Sequence, residues 1–105
     1  MRVQVNTDNN IPGDESLEAH VEEVVTSTLS RFSQDVTRVE VHLQDENSHK
    51  GGSDDIRCMM EARVEGMQPT AVTHNAGNVK DAINGAVRKL RNALTTSLGR
   101  RNNHR

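Results

Sequence analysis

The residues best suited to chemistry in this chain are cations near its end. Arg88, Lys89, Arg91, Arg100, Arg101 and Arg105 all follow Asp81, and no acid stands among them. Guanidinium and ammonium groups free of neighbouring carboxylates are the groups that neutralise phosphates, and phosphate contact needs no aromatic residue. A merely solvated face usually mixes both signs of charge. The plainer alternative is that cations at a helix C-terminus complement its dipole, by about 0.3–1 kcal/mol each. Other chemistry finds little support. The histidines stand at 20, 42, 49, 74 and 104, with no pair four apart and none in a metal-ligand motif. Cys58 lies in register with Ile56 and Met60, which makes it a buried small hydrophobe. Gly51-Gly52 lacks the Lys-Ser/Thr pair of a phosphate-cradling loop, and no Gly-x-Ser-x-Gly turn occurs. The expectation is a protein that is not an enzyme, with no cofactor, no metal and no small-molecule substrate.

Charge is divided unevenly. Residues 1–50 carry four Lys/Arg against ten Asp/Glu, whereas residues 51–105 carry nine against five, so a formal net charge of −2 is the sum of −6 and +4. Such polarity points to an anionic partner for the basic end. Phe32 is the single aromatic residue, which argues against base stacking on an aromatic platform and leaves structured RNA, gripped by its phosphates, as the nucleic acid to expect. One cysteine excludes an internal disulfide framework. No run of about 18 apolar residues is present, so no membrane span is expected, and the N-terminal residues do not resemble a signal peptide, which makes the cytoplasm the default location.

The elements that must position these groups follow from periodicity. Leu, Ile, Val and Phe number 22 of 105, enough for a folded chain with a thin core. Residues 2–7 alternate, with Val3 and Val5 on one face, and read as a short strand. Turn residues 8–13 lead to a helix capped by Asp14 or Ser16 and running to about residue 32, whose stripe Leu17, Val21, Val24, Val25, Thr28, Leu29 and Phe32 recurs at three and four. Residues 36–44 alternate again, with Val39, Val41 and Leu43 inward. A polar, mobile connection over 45–54 precedes a strand at 55–65, a tight turn at Gly66, and a weaker strand over 68–74 in which Pro69 suits a start or an edge. Asn78 caps the last helix, which carries the stripe Val79, Ala82, Ile83, Ala86, Val87, Leu90, Leu94 and Leu98 and is stopped by Gly99. Gly85 inside it disfavours the helix by about 1 kcal/mol relative to Ala, which close approach to a sheet would explain. Residues 1–99 thus form one domain and 100–105 a basic flexible tail.

The order is β-α-β-β-β-α. One apolar face per strand and one stripe per helix give an α+β, two-layer fold, a four-stranded mixed sheet with both helices on one face. The first crossover places strands one and two parallel. The other sheet face is polar, with Arg38, Glu40, His42, Arg57, Glu61, Arg63 and Glu65. An exposed edge strand offers a route to a homodimer.

Two stretches carry a family resemblance. Asp81-Ala82-Ile83-Asn84-Gly85-Ala86-Val87-Arg88-Lys89-Leu90-Arg91-Asn92-Ala93-Leu94 resembles the closing helix of the ribosome hibernation promoting factor family, also called the ribosome-associated inhibitor A or sigma-54 modulation protein family. Asn10-Ile11 and Leu17-Glu18-Ala19-His20-Val21-Glu22-Glu23 are similar to its first helix, and Val39-Glu40-Val41-His42-Leu43 fits the strand that follows. The resemblance implies a βαβββα domain that binds the small ribosomal subunit and its rRNA, occludes the channel for mRNA and tRNA, and blocks translation in stress. It carries over an rRNA-binding role to Lys89, and to Arg88, Arg91, Arg100 and Arg101 as the basic continuation. The family's first helices usually carry several lysines, whereas here that helix holds only Arg31. The alternative is therefore a non-enzymatic protein-interaction adaptor of the same fold, whose acidic first helix binds a basic protein and which has lost rRNA binding.

Overall fold

The computed structural model describes residues 1–46 and 56–103, with side chains through residue 100. The connection expected over 45–54 falls, from residue 47 on, outside the described residues, as do residues 104 and 105. The elements run β1 (Arg2–Thr7), α1 (Glu15–Thr28), a short 3-10 turn (Ser30–Phe32), β2 (Val36–Asp45), β3 (Ile56–Val64), β4 (Thr70–Ala76) and α2 (Val79–Asn103). The strands lie in sequence order, β1 parallel to β2 and the other pairs antiparallel. This is the expected α+β arrangement, a four-stranded mixed sheet in the order β-α-β-β-β-α.

Each local decision has a visible cause. α1 starts at Asp14, whose Oδ1 accepts from the Leu17 amide at 2.8 Å. α2 starts at Asn78, whose Oδ1 accepts from the Asp81 amide at 2.8 Å while its Nδ2 donates to Asp81 Oδ2 at 3.0 Å, so cap and third residue satisfy each other. The β3–β4 turn closes with the Met67 amide donating to the Val64 carbonyl at 3.0 Å, and Gly66 takes φ +80° at the position where such turns favour glycine.

Several boundaries differ from the sequence reading: the first helix, expected to run to about residue 32, ends at Thr28 and gives way to the 3-10 turn, and β4 starts at Thr70, after Pro69, and not at 68. β4 continues through Asn75 and Ala76, because these pair with Arg57 and Ile56 of β3 and Ala76 is buried. α2 does not stop at Gly99. That residue lacks the left-handed conformation of a helix stop, while Leu94 and Leu98 hold the preceding turns in the core, so the helix continues to Asn103.

One apolar layer joins sheet and helices. Val39, Val41, Leu43, Cys58, Met60 and Ala62 point inward from β2 and β3 and meet Val21, Val25 and Leu29 of α1 and Ile83, Ala86, Leu90 and Leu94 of α2. The other sheet face carries an ion-pair network. Register sets Glu40 opposite Glu61 and Arg38 opposite Arg63, like charges that would repel. The side chains resolve this sideways: Glu40 accepts from Arg38 at 2.8 Å and lies 3.8 Å from Arg63, which also reaches Glu61 at 3.2 Å. His42 Nε2 lies 3.7 Å from the same Glu40.

The close approach suggested by Gly85 is real, and its partner is His74 of β4. A Cβ at Gly85 would run into the imidazole of His74. Gly85→Ala is expected to destabilise by about 1 kcal/mol with His74 in place, since the ring must be displaced. In a His74→Ala background the same change is expected to stabilise by up to about 1 kcal/mol through helix propensity. Urea denaturation of the four chains measures this reversal of sign. Burial likewise pushes the Cys58 thiol up from 9.0 to about 12. Its folded pKa lies above its unfolded one, so the contribution to stability is complete below pH 9 and is lost as pH rises toward 12. A thiol reagent should therefore label native Cys58 only at the rate at which the chain opens, and that rate should climb above pH 9.

Candidate functional site

The basic residues of α2 are sorted by the helix into separate surroundings. Arg88 is exposed and Arg91 half-buried, and both line a concavity of about 560 Å3 with Asp81, Asn84 and Val87 of α2, Val24 and Thr28 of α1 and His74 of β4. The helical period brings residues 81, 84, 88 and 91 onto one stripe beside α1. This hollow is mixed in chemistry: two guanidinium groups, an amide, a hydroxyl and an imidazole, with the Asp81 carboxylate turned toward its cap at Asn78.

Lys89 lies on a different flank. Its Nζ donates to the Thr73 carbonyl of β4 at 2.9 Å, so it bridges helix and outermost strand instead of joining Arg88 and Arg91. The ammonium has two further protons, which remain able to meet an anion. Arg100 is exposed on the last turns of α2, two turns beyond Asn92. The backbone of Arg101 is helical, and its side chain lies outside the described residues. The structure thus brings together Arg88 and Arg91, sets Lys89 apart, and carries Arg100 along the same helix.

The sequence reading missed His74. It sits at an inward position of β4, opposite Cys58, and only the pairing of β4 with β3 and the gap left by Gly85 place it beside α2. The alternation through Val72, His74 and Ala76 was the available signal, but it says nothing about which helix residue lies above. Arg31 stacks over Phe32 within the 3-10 turn that follows α1, its guanidinium carbon 5.1 Å from the ring centroid, and lies apart from the cations of α2 in the chain.

The acids fall on the other helix. Glu15, Glu18, Glu22 and Glu23 are all exposed on α1. Among the described residues, no group of three or more His, Cys, Asp or Glu side chains is arranged to hold a metal ion. No described helix is long and apolar enough to cross a membrane.

Comparison with solved structures places the architecture. The chain is similar to the N-terminal domain of Protein Y from Thermus thermophilus, with a TM-score of 0.73 at 17% identity, over 91% of this chain and 98% of that one. It is also similar to a ribosomal subunit interface protein from Coxiella burnetii, with a TM-score of 0.64 at 12% identity, over 94% of this chain and 99% of that one. At such identities these likenesses establish the fold. No curated protein sequence matches the chain. Its sequence does match a family pattern, that of the sigma 54 modulation protein / S30EA ribosomal protein, across residues 3–102. With nearly the whole chain inside that match, and a fold that agrees with it, this protein belongs to the sigma 54 modulation protein / S30EA ribosomal protein family of ribosome-associated modulation factors.

Proposed function

We propose that this chain is a translation inhibitor of the hibernation type, which binds the small ribosomal subunit through rRNA phosphates and fills the channel where mRNA and tRNA would lie. The observation that carries this reading is the surface of α2 beyond Asp81, where Arg88, Arg91 and Arg100 are presented with no acid among them. Family membership supplies the ribosome as the place where such a surface would act, in the cytoplasm. Inhibition needs no reaction: a domain held by phosphate contacts excludes other occupants by volume alone, so the role is non-enzymatic.

In this reading Arg88 and Arg91 grip phosphates from one side of α2, and Asn84 adds an amide donor from the same hollow. Lys89 contributes from the flank, with its ammonium shared between Thr73 and the RNA. Arg100 and Arg101, on the last turn of α2 in place of the flexible tail expected from residue 100, extend the contact along the axis of the helix. Arg gives these contacts direction, because its planar donors fit two phosphate oxygens at once. α1 borders the hollow of Arg88 and Arg91 through Val24 and Thr28, and its glutamate-bearing face must point away from the RNA, since four exposed glutamates would repel phosphate. Those same glutamates favour a second reading, an adaptor of this fold that binds a basic protein and makes no use of rRNA.

Sedimentation distinguishes the two. The chain should travel with small ribosomal subunits at low salt and be released steeply as salt rises. About five phosphate contacts give a log–log slope of roughly −4 to −5. Changing Arg88, Lys89 and Arg91 together to Glu should abolish co-sedimentation and leave the thermal transition nearly unchanged. Persistence of binding in that variant would rule out the basic helix as anchor. If the unaltered chain never sediments with subunits and leaves translation in vitro untouched, the adaptor reading takes its place.

A further inference from the structure

The two edges of the sheet are finished differently. At the β4 edge, Pro69 stands just before the strand, and Lys89 reaches over from α2 to occupy the Thr73 carbonyl at 2.9 Å. Both are devices that blunt an edge against further pairing. β1 has neither. It is the other end strand, paired with β2 alone, and its sequence RVQVNT contains no proline and no lysine. In the loop that follows, Gly13 packs so near Thr7 that a Cβ would sit 2.6 Å from the Thr7 hydroxyl. Among the described residues, no strand lies beside the outward amides and carbonyls of β1 from Arg2 to Asn6.

A hollow of about 320 Å3 runs along this edge, lined by Arg2, Val3, Gln4 and Val5 together with Glu18 and Glu22 of α1 and Arg38 of β2. Since Val3 and Val5 face the helices whereas Arg2, Gln4 and Arg38 face the opposite side, the hollow follows the open edge itself. Its charge is divided, with acids on the side of the helices and the cations Arg2 and Arg38 on the far side. Glu18 and Glu22 form the wall toward the helices, and no Lys or Arg occurs between Arg2 and Arg31. On the far side Arg38 is already bound to Glu40 at 2.8 Å.

We propose that the β1 edge is a docking site for an extended, basic peptide segment of another protein, which adds as a fifth strand next to β1 and sets its Lys or Arg side chains against Glu18 and Glu22. Backbone pairing supplies the attachment and the alternating side chains supply the choice of partner. Charge selects this occupant over a second copy of the chain. Two β1 edges brought together would set the Glu18 and Glu22 of one copy near those of the other, and like charges across an interface disfavour it. The site is separate from the basic surface of α2, so one domain would hold nucleic acid on one flank and a basic protein segment on the other.

The test uses the full chain, labelled for NMR, and a Lys-Thr repeat peptide of about eight residues, the length of an ordinary strand. Two control peptides accompany it, a Glu-Thr repeat and the Lys-Thr repeat N-methylated on every backbone amide, which keeps its charge and removes the donors that strand pairing needs on both edges. The Lys-Thr peptide should slow hydrogen exchange at alternate amides between Arg2 and Asn6, and neither control should. Glu18→Gln combined with Glu22→Gln, two exposed positions, should weaken binding by about tenfold, with exchange in β2 and β3 unchanged to show that the fold is intact. Three results would overturn the proposal: β1 amides that exchange equally fast with and without the Lys-Thr peptide, an N-methylated peptide that binds as well as its parent, or protection of β1 that grows with protein concentration in the absence of peptide, which would assign the edge to a second copy.

Discussion

How near α2 can come to the sheet is the constraint on which this molecule depends. The core contains one aromatic side chain, Phe32, and is otherwise built from valine, leucine, isoleucine, methionine, alanine and the single cysteine. Little bulk is available to fill a gap between layers, and unfilled space removes packing contacts outright. The chain answers with small residues where the helix crosses β4: Ala82, Gly85 and Ala86 on the helix, with Gly85 giving up its side chain to the ring of His74. Leu90, Leu94 and Leu98 take over farther along. The same docking fixes the rotation of α2 about its axis. That rotation decides that Arg88 and Arg91 share a hollow with α1 and that Lys89 faces the edge of β4.

Charge is organised by element as well as by sequence half. α1 is acidic on its exposed face, α2 is basic beyond its first turn, and the open sheet face is nearly self-neutralising through Glu40, Glu61, Arg38 and Arg63. Surface ion pairs of this kind add little to stability, a median of about 0–1 kcal/mol each. Their effect is to remove the sheet face from long-range electrostatics. What remains is a domain with opposed flanks, and a net charge of −2 describes neither of them.

Much of the fold was legible because each element states its own burial. Period two in 36–44 and 55–65, period three to four in both helices, and cap residues at Asp14 and Asn78 are local signals, and all reappear in the structure. The errors lie where a local signal was outweighed. Asn75 and Ala76 looked like an approach to the helix, yet pairing with β3 holds them in the strand. Gly99 looked like a stop, yet the buried leucines before it keep the last turns in register. The candidate site was legible only as a list. That cations cluster after Asp81 is plain from the sequence, but membership of one surface is a property of helix phase and neighbours, and these separated Lys89 from Arg88 and Arg91.

The sequence by itself determined the element order, the two-layer architecture, the inward face of each strand and the division of charge between the two helices. These depend on residue spacing along one chain, which periodicity reports directly. Only the tertiary structure decided which groups meet. His74 lies beneath Gly85, Lys89 closes the β4 edge, and β1 is left open next to Glu18 and Glu22, because each of these contacts joins residues far apart in sequence whose distance is set by sheet register and helix docking.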